Sequence, residues 1–253
     1  MDKLIFAKIF PLADVGVYGI ASGLALVVVM LMGKFQLTIV FPLYSKLMDS
    51  KDAVQLVLVK SKFPILAIGG YMIALLIACS RSFIELTYDS RYQDAGTYLP
   101  ILALGVWFTI VEGIYASAFL ALGNTKWIAV GNLVKIIAFA VLIFPAAQIG
   151  GIYLAIVCGV LAEFLRMLAA LFFARKLQLP VPKHELLMSV FSIGIGYSSL
   201  QSVHFVKDYV QLSAFGAMTV QFVLVTCLFT PLFLRVYKKL KELAPISDGG
   251  AIA

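Results

Sequence analysis

The sequence predicts an all-α, polytopic membrane bundle of about seven transmembrane helices, and three observations lead there. The 253-residue chain is 62% hydrophobic and 13% charged, with a mean hydropathy of +1.01. A soluble domain carries about 25% charge and about 45–50% apolar residues. The apolar runs are as long as a membrane is thick, since ~30 Å of hydrocarbon needs about 20 helical residues. They also lack the sustained alternation that marks strands.

Taken in order, spans are expected over residues 15–41, 63–80, 97–122, 127–147, 151–173, 186–204 and 210–234. The first is too long for one straight crossing, so a tilt or kink near Gly33 or Pro42 is expected. Pro64, Pro100 and Pro231 fall toward span ends or kinks, where a missing backbone donor is tolerated. Gly69–Gly70 and Gly194–Gly196 are small-residue sites of the kind that lets helices approach closely. Residues 1–240 are therefore read as the membrane bundle and 241–253 as a short polar tail.

The polar connectors set an expected orientation. Lys46, Lys51, Lys60, Lys62, Lys126, Arg175, Lys176, Lys183, Arg235, Lys238, Lys239 and Lys241 fall on one side, twelve in all. The other side holds five: Lys3, Lys8, Arg81, Arg91 and Lys207. The positive-inside bias puts the C-terminus in the cytoplasm and the N-terminus outside a cell (inner or plasma) membrane. Tyr88, Tyr92 and Tyr98 fit an outer aromatic belt. The net charge of +7 is thereby read as membrane-face charge, with no nucleic-acid partner. The C-terminal "RVYKKLKE" reads as an anchor that meets anionic membrane lipids.

"MDKLIFAKIFPLAD" has charges at Asp2, Lys3 and Lys8 and no clean apolar core, so it does not read as a secretory signal peptide. Outward-facing Lys3 and Lys8 at the start of the chain sit awkwardly with this topology, and a preceding span would relieve the tension. The chain is accordingly expected to be a C-terminal part of a longer transporter. Cys79, Cys158 and Cys227 lie in apolar runs without disulfide or metal spacing, and read as small buried hydrophobes. His184 falls in a polar turn and His204 at an interface, so no metal is expected.

Five ionisable residues stand within the spans: Lys34, Glu112, Lys135, Glu163 and Arg166. Such groups are costly in lipid and are functional candidates by default. Spans three and four turn near Asn124, which puts Glu112 and Lys135 at a similar depth of ~17 Å. An ion pair between them is expected. Glu163 and Arg166 are three apart and share a helix face. Lys34 has no acid within reach in its own helix, which leaves it either snorkelling or contacting an anion. Three cations against two anions leave one positive charge in excess. Lys34, Lys135 and Arg166 are the candidate substrate contacts, with Glu112 and Glu163 as their charge partners. An excess of positive charge suits phosphate oxygens.

The N-terminal stretch "MDKLIFAKIFPLADVGVYGIASGLA" resembles a segment of polysaccharide-export flippases of the multidrug/oligosaccharidyl-lipid/polysaccharide (MOP) superfamily, through Val15, Gly16, Tyr18 and Ala21. "VFPLYSKLMDSKD" resembles the end of the next family helix, through Phe41, Pro42, Ser45 and Lys46. "YLPILALGVWF", "FLALGNTKW" and "GNLVKIIAFAVLIFPAAQIGGIYLAI" follow in the family's order to about residue 175. The resemblance implies the C-terminal half of such a flippase, with one helical lobe beside a central cavity. It further implies transport of an undecaprenyl-pyrophosphate-linked glycan, with a missing or separate N-terminal lobe as partner. A multidrug/cation antiporter of the same superfamily, a membrane-integral transferase and an inactive remnant stay open as alternatives. An enzyme is not the expected reading. The only acidic loop, "ELTYDSRYQD", is joined by no histidine, and neither a catalytic residue nor a cofactor is expected.

Overall fold

The apolar runs become helices, and the computed structural model describes residues 2–42, 51–180, 184–210 and 213–247. In chain order the helices are α1 (Asp2–Ile9), α2 (Leu12–Phe35), α3 (Lys51–Ala78), α4 (Ser80–Thr87), α5 (Ala95–Ala121), α6 (Lys126–Lys176), α7 (His184–Val210) and α8 (Ala214–Ser247). A π-helical stretch, Gln36–Val40, extends α2, and a 3-10 turn, Ser90–Tyr92, precedes α5. Among the described residues there is no strand. Ser45, Lys46 and Lys183 lie outside the described residues. So do the side chains of Lys51, His184, His204, Lys207, Lys239 and Lys241, and the chain after Ser247.

Among the described residues, five helical stretches are long and apolar enough to cross a membrane: Leu12–Thr38, Gln55–Ala78, Ser90–Ala121, Lys126–Lys176 and Ala214–Lys238. The protein is an all-helical membrane bundle, but the count differs from the expected seven for two reasons. The span expected over 186–204 lies in α7, whose side chains are only partly among the described residues, so it falls outside that count. The spans expected over 127–147 and 151–173 fall within the single 51-residue α6.

A straight helix of that length would run ~76 Å, more than twice the hydrocarbon thickness. Instead α6 breaks at Gly150 (φ −133°, ψ 16°) and Gly151 (φ 61°, ψ −152°). The Gly151 backbone lies in a region essentially closed to residues with a Cβ. Past the break the chain runs back along itself. Trp127 stacks on Phe173 with ring centroids 4.1 Å apart, and Lys135 meets Glu163 further along. We call the two halves the first arm (126–149) and the second arm (152–176).

The kink expected in α2 falls between its two anticipated sites, at Gln36–Val40. Such π insertions locally distort a helix and aim side chains differently. Here the Gln36 side chain is buried and donates to the Ile110 carbonyl at 3.2 Å. Gly113 makes room for it, since a Cβ there would come within 2.3 Å of Gln36 Oε1.

Helix α5 is the axis of the bundle, packing against α2, α3, α4, α6 and α7. It contributes Trp107, Tyr115 and Phe119 to the core, each almost fully buried. Helices α7 and α8 pack on α3 and on each other. The small-residue sites work as close-packing points. Gly69 faces Ile110, Gly70 faces Ser192, and Gly196 sits against the Ala74 backbone. Gly194 is the exception, with open space around it. Of the cysteines, all free, Cys158 is buried, Cys79 partly so, and Cys227 is exposed on α8, contrary to expectation.

Helix α3 begins at Lys51, twelve residues before the expected span start. Lys62, read as a connector residue, is therefore inside a helix and only 2% exposed. Its ammonium donates to the Tyr115 hydroxyl at 2.8 Å and to the Pro180 carbonyl. Gln55, two turns earlier, donates to the Gln178 carbonyl at 3.0 Å. The start of α3, the end of α5 and the end of α6 thus meet at one end of the bundle.

Candidate functional site: a charge cluster beside an apolar cavity

Each arm of α6 carries two polar residues three apart, Asn132 and Lys135 on the first, Glu163 and Arg166 on the second. Spacing of three puts each pair on one face, and the hairpin turns the two faces toward each other. Arg166 is the hub. Its Nη2 lies 3.3 Å from Glu112 Oε2 on α5, and its Nη1 donates to Asn132 Oδ1 at 3.3 Å. Its Nε lies 3.1 Å from Glu163 Oε2, close enough for attraction but misaligned for a hydrogen bond. The other carboxylate oxygen of Glu163 accepts from Lys135 Nζ. Gly131 leaves space for the Arg166 stem, whose Cγ would stand 3.6 Å from a Cβ at that position.

The pairing differs from expectation. Glu112 is bound by Arg166, and Lys135 by Glu163. Equal depth made Lys135 eligible for Glu112, but the second arm inserts a cation closer to Glu112. The four ionised groups sum to zero charge. They differ in exposure: the Arg166 and Glu112 side chains are 13% and 12% exposed, that of Lys135 39%.

Lys135 and Glu163 also line a half-open cavity of about 350 Å³ bordered by α1, α2, α5 and both arms of α6. Its walls are mainly apolar, with Phe6, Tyr18 and Phe139 among them and Ser22 and Thr109 as further polar groups. Arg166 and Glu112 stand behind this wall, not in it. Lys34 does not line the cavity either. It is exposed in the last turn of α2, with no carboxylate beside it among the described residues. The positive excess inferred from sequence needed Lys34 in the same space, and the cavity itself presents one cation and one anion.

Two participants were not singled out from sequence. Asn132 was detectable by its i, i+3 relation to Lys135, but not Lys62, whose partners lie 53 and 118 residues away.

Fold and site together define a helical membrane protein with an ionic cluster held between helices beside an apolar cavity. A family model described as "Polysaccharide biosynthesis protein" matches residues 1–95. This similarity supports a role in polysaccharide biosynthesis, and it covers α1 to α4. The α1 and α2 walls of the cavity lie within the matched stretch, while α5 and α6, which carry the charge cluster, lie beyond it. No curated protein and no solved structure matches the chain.

Proposed function

We propose that the protein is the C-terminal part of a MOP-type flippase, which passes a lipid-linked oligosaccharide across the membrane for cell-surface polysaccharide. The observation that carries this reading is the Lys135–Glu163 pair opening onto an apolar cavity of which two walls, α1 and α2, lie in the stretch similar to a polysaccharide-biosynthesis family. Lys135 is the most exposed charged member of the cluster, so it can exchange Glu163 for a phosphate oxygen without unfolding its neighbours. Arg166 then holds Glu163 and keeps the vacated carboxylate from being left alone. Lys34 lies outside the cavity and serves, on this reading, at the approach to it. An N-terminal lobe, linked or separate, supplies the facing wall. The proposed orientation has the N-terminus outside and the C-terminus in the cytoplasm. Cysteine labelling should then reach positions 126 and 176 from the cytoplasm and 89 and 148 from outside. Cytoplasmic labelling at 89 would overturn that orientation.

Export in cells lacking their own flippase, with a full transporter supplied, tests the function. Removing Lys135 and Glu163 together, as K135A/E163A, keeps the local charge balanced. That variant should express normally and lose export by about tenfold or more, the cost of one charge-assisted hydrogen bond to phosphate. K135R should retain part of the activity and K135E none. The same series at Lys34 should have weaker effects. Wild-type export by K135A/E163A would exclude Lys135 as the anion contact.

One observation favours a second reading. A cavity presenting one cation and one anion lacks the basic excess that would argue against a multidrug/cation antiporter. Resistance to cationic dyes conferred by the wild type, and abolished in E163Q, would select that alternative.

A further inference from the structure

The hairpin in α6 brings its first and last residues, Lys126 and Lys176, to the same indole. Their ammonium groups lie 5.0 and 5.6 Å from the centroid of Trp127, which also stacks on Phe173. Arg175 is exposed beside them. Among the described residues no carboxylate pairs with Lys126, Arg175 or Lys176. Two lysines from the two ends of α6 thus converge on one indole. The neighbouring Phe172 is 64% exposed, as expected of a ring facing acyl chains. An indole at the hydrocarbon edge with cations around it is what a negatively charged headgroup meets well, with phosphate oxygens between the ammonium groups and the chains along exposed aromatic surface.

From this we infer that the Lys126–Trp127–Lys176 cluster is a defined binding site for an anionic phospholipid. It is separate from the basic run at the C-terminus and from the cavity, and it does not depend on the transport reading. Convergence of residues 50 positions apart distinguishes it from the general positive charge of a membrane face. A diffuse face attracts lipid by net charge, whereas this site requires both ends of one helix.

The test uses the whole chain in bilayer nanodiscs of phosphatidylcholine containing a minor fraction of phosphatidylglycerol. The chain has two tryptophans, and Trp107 is buried, so a W107F background leaves Trp127 as the reporter. Brominated phosphatidylglycerol should quench Trp127 more strongly than brominated phosphatidylcholine. K126Q/K176Q should abolish the difference, whereas K3Q/K8Q, which removes the same charge elsewhere, should leave it. If W107F fails to fold, native mass spectrometry of the otherwise wild-type chain gives the same comparison. Retained phosphatidylglycerol should then fall roughly 10- to 30-fold in K126Q/K176Q, from the attraction of two lysines near a membrane surface. Equal loss in K3Q/K8Q would mean unspecific charge and overturn the site. So would unchanged lipid preference in K126Q/K176Q, or displacement of the lipid by millimolar inorganic phosphate, which would mark a free-anion site.

Discussion

Replacing Arg166 by leucine is expected to destabilise the protein by about 3–5 kcal/mol, the cost of leaving a buried carboxylate without its cation. Glu112 would be that carboxylate, since Arg166 is its ion-pair partner, 3.3 Å away, and both side chains are nearly enclosed. Replacing both, as E112L/R166L, should cost clearly less than R166L alone, because no charge is then stranded. Glu163 would keep Lys135. The pair E112L and K135L should behave differently. Their coupling passes through Arg166 rather than by contact, so their effects should come closer to adding. Thermal unfolding of the three single variants and two doubles in one detergent measures this. A coupling between Glu112 and Lys135 as large as that between Glu112 and Arg166 would contradict the pairing described here.

Lys62→Ala should be the other costly substitution, with a loss of about 3 kcal/mol or more. It removes a donor from the Tyr115 hydroxyl and the Pro180 carbonyl, and leaves a void where three methylenes and the ammonium were packed. Tyr115→Phe removes only one of these bonds and should cost about 1–2 kcal/mol. Lys62→Met, which keeps most of the stem, should fall between Tyr115→Phe and Lys62→Ala. The same detergent assay ranks the three. A Lys62→Ala chain as stable as wild type would show that the lysine leaves the core in the membrane.

Most of the helical layout was legible because lipid demands long apolar runs, and no packing knowledge is needed to find them. The turn near Asn124 could be placed from composition alone. The start of α3 could not. Lys60 and Lys62 resemble a positive flank, and only contacts with Tyr115 and Pro180 turn Lys62 into a core residue. The charge cluster was legible as a set, since Glu112, Lys135, Glu163 and Arg166 each stand out in apolar sequence. Its wiring was not, because depth along a helix axis says nothing about rotation around it. Glu163 and Arg166 share a face by spacing alone, but which partner each one meets depends on how the two arms turn against α5. Lys34 shows the same limit. Its isolation in sequence was evident, but its place outside the cavity depends on which face of α2 packs toward α1, α5 and α6.

The turn at Gly150–Gly151 also bears on how the chain enters a membrane. "PAAQIGG" carries no charge, with Gln148 its one polar side chain. Dragging such a turn through hydrocarbon costs far less than moving a charged connector. In the proposed orientation the two arms can thus be delivered together as a preformed wedge, with Lys126 and Lys176 held back at the starting surface. Asn132, Lys135, Glu163 and Arg166 would cross already matched to one another, each arm shielding the other's charges from lipid during biosynthesis. The ionic cluster is then an asset in assembly before it serves in the finished protein.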